Sequence, residues 1–339
     1  MAIRMNKVNT ITLEKGIQLY LSTLETEGKS PRYVKWLRER LQLFIKQMHH
    51  TYGEECKLQD MTLEDGRELM RELMSRDKKY LDHPLVEPRD GKLAIEYIHG
   101  FGRAVRSFSS WAHEEGYLDE NIMQRLKLPK LPKTQPEPLS EEEIKRVLEE
   151  CLYHTLESLR NYSMMMLFLD TGLRLSELMN LKQSKIDFAL GEMTILGKGN
   201  KERKVPVGSQ AKKAMIDYLS KERPDPQSPQ IEDNVYLSAQ GYLISSTVIQ
   251  KVFQRVRKAA GVPRLHPHLC RHTFSVRYLI HGGDVFSLQK ILGHSSLQMT
   301  QRYVNLASSD VKDKHRRFSP MDNLNFRGSS RRRPRLQRK

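Results

Sequence analysis

Apolar residues in the first third of the chain recur three or four apart, the spacing of one face of an α-helix. Leu13, Ile17, Tyr20, Leu21 and Leu24 form one such stripe. Val34, Leu37, Leu41, Phe44, Ile45 and Met48 form a second, preceded by Ser30-Pro31, a cap followed by proline at the first helical position. Thr62 to Asp65 can cap a third helix carrying Leu69, Met70 and Leu73. Ile95, Ile98, Phe101, Val105, Phe108 and Trp111 mark a fourth, with Gly116 placed to end it. The stripes predict an all-α N-terminal domain over residues 1–128.

The pattern breaks at residues 129–138, PKLPKTQPEP, where four prolines fix the chain in extended conformations and remove backbone donors. We expect a linker here. Ser140-Glu141-Glu142-Glu143 then reads as a capping box that opens a new helix. Beyond it the pattern is mixed. A helix is predicted from Leu159 to Leu169, stopping near Gly172, followed by short strands at Ile186–Phe188, Met193–Leu196 and Arg203–Val207. Turn residues separate the strands, and the chain from Thr247 is mainly helical. The expected fold class is mainly α with a small antiparallel β-sheet, in an α+β domain over 139–320 that follows the helical one. Residues 321–339 are low-complexity and basic.

Charge changes the picture. Lysine and arginine exceed aspartate and glutamate by 16 over 339 residues. Such a surplus favours a polyanion, because neutralising phosphates releases counterions. The three cysteines, Cys56, Cys151 and Cys270, are too few and too irregularly spaced for a disulfide framework, which fits a reducing compartment. The longest apolar run, Met164 to Leu169, is far short of a membrane span, and the N-terminus has no apolar signal core. We therefore expect a soluble intracellular protein with a nucleic acid as partner and no membrane.

Four segments of the second domain carry candidate chemistry. In Thr171-Gly172-Leu173-Arg174-Leu175-Ser176-Glu177 a glycine break precedes a helix start, where an arginine and exposed N–H groups can meet a phosphate. In Gly197-Lys198-Gly199-Asn200-Lys201 a lysine projects from a tight turn. In His266-Pro267-His268-Leu269-Cys270-Arg271-His272 a proline opens a helix on which His268 and Arg271 share a face. In the fourth, Leu292-Gly293-His294-Ser295-Ser296, a glycine ends one helix and a serine caps the next, on which Tyr303 lies. Taken singly, each has an ordinary structural explanation: an exposed arginine, a surface hairpin lysine, a packed tyrosine. His268, Cys270 and His272 also allow a metal site, although no second ligand cluster accompanies them.

Together, in this order, Arg174, Lys198, His268 with Arg271, His294 and Tyr303 resemble the active site of the tyrosine recombinases, the family of phage lambda integrase, Cre and the bacterial Xer recombinases. The flanking words agree, and Glu177 matches an acidic position near the first arginine. The resemblance is strong over 139–307 and weaker over 10–128. It implies that Tyr303 attacks a DNA phosphate to give a 3′-phosphotyrosine and a free 5′-hydroxyl. Arg174 and Arg271 neutralise the non-bridging oxygens. A tyrosine hydroxyl keeps its proton up to about pH 10, and His268 is the expected acceptor of it. Lys198 is the expected acid for the departing 5′-oxygen, with Lys201 the alternative, His294 holds a phosphate oxygen, and Glu177 orients its neighbours. No metal ion, ATP or other cofactor is expected.

The same resemblance implies a cytoplasmic, nucleoid-associated protein whose partner is double-stranded DNA, four protomers on two DNA sites, a Holliday junction, and duplex held by both domains. It also implies that residues 304–320, with Val304, Leu306, Val311 and Phe318, dock on a neighbouring protomer. The basic tail is expected to be a disordered arm on phosphate. For biological purpose the weaker Xer likeness of the N-terminal domain and the extended basic tail lead us to expect integration, excision or transposition of a mobile element, with Xer-like dimer resolution as the alternative. A type IB topoisomerase shares the chemistry but rejoins the same strand.

Overall fold

The computed structural model describes residues 10–79, 87–132, 136–153, 157–197, 202–304 and Ser319. The expected acid Lys198, its alternative Lys201, the docking residues Leu306, Val311 and Phe318, and the tail 321–339 lie outside them. Internal contacts divide the chain into two units, Met1–Thr134 and Gln135–Lys339.

In the first unit the helices are α1 (Leu13–Thr26), α2 (Pro31–Tyr52), α3 (Leu63–Ser75) and α4 (Ile95–Glu114). Their starts follow from local chemistry. The Ser30 hydroxyl accepts from Tyr33 N, with Pro31 supplying the helical φ at the next position. Thr62 and Asp65 cap reciprocally, Asp65 accepting from Thr62 N at 2.7 Å. Gly116, at φ +75°, lies just past the end of α4 in the left-handed region. The apolar stripes meet in one core that includes Leu37, Leu41, Phe44, Leu69, Val105 and Phe108. Within it Tyr20, Phe108 and Trp111 pack with ring centroids 5.4–6.1 Å apart. The unit also holds a small antiparallel ribbon, β1 (Lys78–Lys79) on β2 (Arg89–Asp90), which adds a strand pair to the expected all-helical domain.

The second unit comprises α5 (Glu141–Leu152), α6 (Ser158–Thr171), α7 (Leu175–Met179), β3 (Ile186–Asp187), β4 (Glu192–Leu196), β5 (Glu202–Pro206), α8 (Ser209–Lys221), α9 (Ser246–Ala259), α10 (Pro267–Ile280), α11 (Val285–Leu292) and α12 (Gln298–Val304). The capping box expected at Ser140 forms: its hydroxyl accepts from Glu143 N and Glu143 accepts from Ser140 N. Helix α6 is apolar on most of its surface because it is central, packed against α5, α8 and α10. Phe168 meets Phe253 of α9 edge-on at 5.5 Å, and the Ser163 hydroxyl bonds the Tyr236 hydroxyl at 2.7 Å. The three strands form an antiparallel sheet in the order β3-β4-β5, with Met193 opposite Val205 and Ile195 opposite Arg203. Among the described residues no helix is long and apolar enough to cross a membrane.

Candidate active site

Two glycines set the site up. Gly172, at φ +62°, ends α6 in the left-handed region. The chain then turns through Leu173 so that Arg174 becomes the N-cap of α7. Gly293, also at φ +62°, ends α11 and turns the chain into His294. A Cβ at Gly172 would come within 2.6 Å of the Phe274 ring on α10, so this turn sits tightly against the helix that carries Arg271.

Glu177, on the first turn of α7, is the hub of one half of the site. It accepts from Arg174 N and Arg174 Nη1, both at 2.8 Å, and from Arg203 Nη1 and Nη2 at 3.0 and 2.9 Å. The carboxylate is buried. Burial alone raises its pKa, but the bonds from Arg203 and Arg174 outweigh that and hold it below the usual carboxylate range. The Arg174 side chain is about one-third exposed. It spends one N–H on Glu177 and has no other protein acceptor among the described residues. A cavity of about 630 Å³ opens beside it, lined in part by Ser176, Asn180, Lys182, Lys185 and Thr194.

Arg271 is the hub of the other half. It is 6% exposed. Its Nη1 donates to Gly172 O at 2.7 Å, and its Nη2 donates to Leu292 O at 2.8 Å and to His294 Nε2 at 3.0 Å. Three of its five N–H groups are thus spent on the protein. Burial, and next the repulsion of Arg174, bring its pKa down to about 10, so it remains a cation at neutral pH. A guanidinium only donates, so His294 Nε2 must be the acceptor in this contact. A neutral His294 ring then carries its proton on Nδ1, 2.9 Å from the Thr300 hydroxyl on α12.

Tyr303 lies on α12 in a small apolar cluster with Val276, Leu279, Leu288 and Leu292. Its ring stacks on His294, with centroids 6.3 Å apart and planes 15° apart, and is tilted against His272 at 5.4 Å. The neighbours Thr300 and His294 are buried with it. Ser295 Oγ faces Met299 Sδ at 3.9 Å. His268 stands exposed on the first turn of α10, one turn before Arg271. Cys270 is fully buried, its thiol directed at Met165 Sδ 4.0 Å away. It therefore points away from the surface that presents His268, and the alternative metal set does not converge.

Of the expected residues, Arg174 and Glu177 meet at one hub, and Arg271, His294 and Tyr303 form a contiguous chain at the other. Arg203 joins the two and was not anticipated. The signal was available: in Glu202-Arg203-Lys204-Val205-Pro206-Val207 strict alternation puts Arg203 on the same face as Val205 and Val207, and a cation on a core-facing strand position needs a buried partner.

The second unit matches the model of the phage integrase family over residues 137–310. Tyrosine recombinase XerC of Oceanobacillus iheyensis is 29% identical over 317 residues, 92% of this chain and 98% of the relative. Tyrosine recombinase XerC 1 of Ralstonia nicotianae is 33% identical over 282 residues, 74% and 85% of the two chains. Among solved structures, a lambda integrase dimer bound to a COC′ core site superposes with a TM-score of 0.65 at 18% identity, covering 88% of this chain and 79% of that one. The Tn1549 transposon integrase in complex with circular intermediate DNA gives the same score at 21% identity, covering 91% and 98%. These two likenesses are of fold.

Proposed function

The chain belongs to the phage integrase family and is a tyrosine site-specific recombinase, and from that premise we propose that Tyr303 is its nucleophile and Arg174 and Arg271 its phosphate ligands. One observation carries the assignment: Arg271 bonds His294, and the Tyr303 ring stacks on that same imidazole. A phosphate bound by the arginines is thereby placed beside the tyrosine. Attack by the Tyr303 oxygen on phosphorus forms a phosphotyrosyl bond and breaks the bond to the 5′-oxygen. The tyrosine proton leaves to a base, His268 in this reading, and the 5′-oxygen takes a proton from Lys198. Arg174, more exposed, and the two remaining N–H groups of Arg271 meet the charge that builds on the non-bridging oxygens. Glu177 orients Arg174. His294 supports Arg271 through Nε2, which differs from the direct phosphate contact expected from sequence. A 5′-hydroxyl from a partner duplex reverses the step, so the bond energy is conserved and ATP is not consumed.

We take double-stranded DNA as the substrate and assign residues 1–128 to holding the duplex, 129–138 to the linker and 139–320 to the chemistry. Assembly is read as four protomers on two sites, exchanging strands through a Holliday junction. Relatives named XerC and XerD align along most of the chain, the XerC of Oceanobacillus iheyensis over 92% of it, so the likeness reaches into the N-terminal domain and supports dimer resolution over the mobile-element purpose expected from the sequence.

The test is a plasmid carrying two copies of a site selected by binding, incubated with the protein in chelator and without ATP. Recombinant circles are the expected product. Relaxation of plasmids lacking the site, with no recombinants, would assign a topoisomerase instead. Replacing Lys198 by alanine is expected to slow cleavage of ordinary DNA by about 100-fold or more while sparing DNA with sulfur at the 5′-bridging position, since a thiolate leaves without an acid. Equal slowing on both substrates would move the acid role elsewhere, first to Lys201.

A further inference from the structure

Arg203 touches two elements, α7 and the end of α11 with the glycine turn that follows it, and each holds part of the site. Its Nη1 and Nη2 take both oxygens of Glu177, the carboxylate that holds Arg174. Its Nε donates to Ile291 O at 2.7 Å, at the C-terminal end of α11, where the next carbonyl, Leu292 O, holds Arg271. Its guanidinium covers Gly293: a Cβ there would lie 3.0–3.2 Å from Arg203 Cδ, Nε and Cζ. Gly293 delivers His294. Arg203 itself sits on β5, five residues after Lys198 in the sequence, and its side chain is 12% exposed.

We propose that Arg203 is a positioning residue for strand cleavage, fixing the separation between Arg174 on one side and Arg271 with His294 on the other through its bonds to Glu177 and Ile291. This rests on the reading of Arg174 and Arg271 as phosphate ligands. The geometry explains why arginine stands there. The planar fork takes both carboxylate oxygens end-on while Nε, at a fixed angle to it, reaches a carbonyl on another helix. A lysine ammonium is one point with no such fixed angle; it can keep the charge next to Glu177 but cannot hold both directions. The charge matters too. Arg174, Arg203 and Arg271 crowd around a single carboxylate, and Arg203 contributes to the repulsion that lowers the Arg271 pKa. With no phosphate bound, Arg203 keeps Glu177 satisfied, so Arg174 can be presented to DNA rather than drawn further into the carboxylate.

The experiment compares Arg203→Lys and Arg203→Met with the wild type in full-length protein. Three quantities are measured: thermal midpoint, DNA affinity, and the single-turnover rate of covalent adduct formation on nicked suicide DNA. The rate is taken on an ordinary scissile phosphate and on a methylphosphonate, in which one charged oxygen is replaced by methyl. The neutral phosphonate has little charge for the arginines to meet, so misplacing them matters less on it. Arg203→Lys is expected to bind DNA within about threefold of wild type and to cleave the ordinary phosphate about 10- to 100-fold more slowly, a loss confined to the transition state. On the methylphosphonate its deficit should shrink to about threefold or less. Equal slowing on both substrates would make Arg203 a structural residue only and overturn the proposal, as would an unchanged rate on ordinary DNA. If Arg203→Met fails to fold, having left Glu177 short of a partner, Arg203→Lys decides the matter alone. Absence of any adduct from wild type would overturn the reading of Tyr303 and this inference with it, an outcome distinct from the other two.

Discussion

Replacing Tyr303 by phenylalanine is expected to abolish covalent attachment to DNA and to leave binding in place. The ring of Tyr303 is a packing element as well as the proposed nucleophile: it lies against Val276, Leu279, Leu288 and Leu292 and stacks on His294. Phenylalanine keeps that volume, so the fold and the stack should survive, at a cost of about 1 kcal/mol for the hydroxyl and its hydrogen bonding. Removal of the attacking oxygen should lower adduct formation by on the order of 10⁴-fold or more. A denaturing gel of the reaction on nicked suicide DNA reads the adduct, and band shifts on the same DNA read the affinity. An adduct of undiminished yield from the phenylalanine variant would remove Tyr303 from the chemistry.

The arginines give the second large effect, and the structure separates them. Arg174→Ala and Arg271→Ala should each slow cleavage by about 10²–10³, the loss of one preorganised donor to a developing anion. Lysine should substitute poorly at either, because it lacks the fork. Their stability costs should differ. Arg174 is partly exposed, and its removal leaves Glu177 still paired with Arg203. Arg271 is buried, and its removal strands Gly172 O, Leu292 O and His294 Nε2, each unsatisfied acceptor costing about 1–3 kcal/mol. Thermal unfolding should therefore show a clear drop for Arg271→Ala and little for Arg174→Ala. Near-normal cleavage by Arg271→Lys would contradict the proposed role of its planar donors.

How far the sequence could be read depended on whether a feature is local. The α2 start was legible because Ser30 and Pro31 act on the residues just beyond them, and the helical stripes because burial repeats with the period of the backbone. Thr62 with Asp65 and Ser140 with Glu143 belong to the same kind. The β1–β2 ribbon was not legible: Lys78, Lys79, Arg89 and Asp90 are all exposed, so no apolar alternation marks them. Site residues were visible as short words around Arg174, His268 and His294, but a word does not say what a side chain is spent on. That Arg271 gives three donors to protein acceptors depends on Gly172 and Leu292 arriving from distant parts of the chain. Arg203 was missed for the same reason, since its partners Glu177 and Ile291 lie 26 and 88 residues away.

The double use of Glu177 has a consequence for mutational tolerance. The same carboxylate caps the start of α7 through Arg174 N and grips two guanidinium groups. A library of this chain sorted only for solubility or heat resistance would thus keep glutamate at 177, because losing it unties a helix and leaves two cations without their counterion. Tolerance at Lys198 or His268 would be judged by a different pressure, recombination alone. Enrichment profiles from the two kinds of sorting should coincide at Glu177 and diverge at His268, and that contrast would tell residues held by folding from residues held by chemistry.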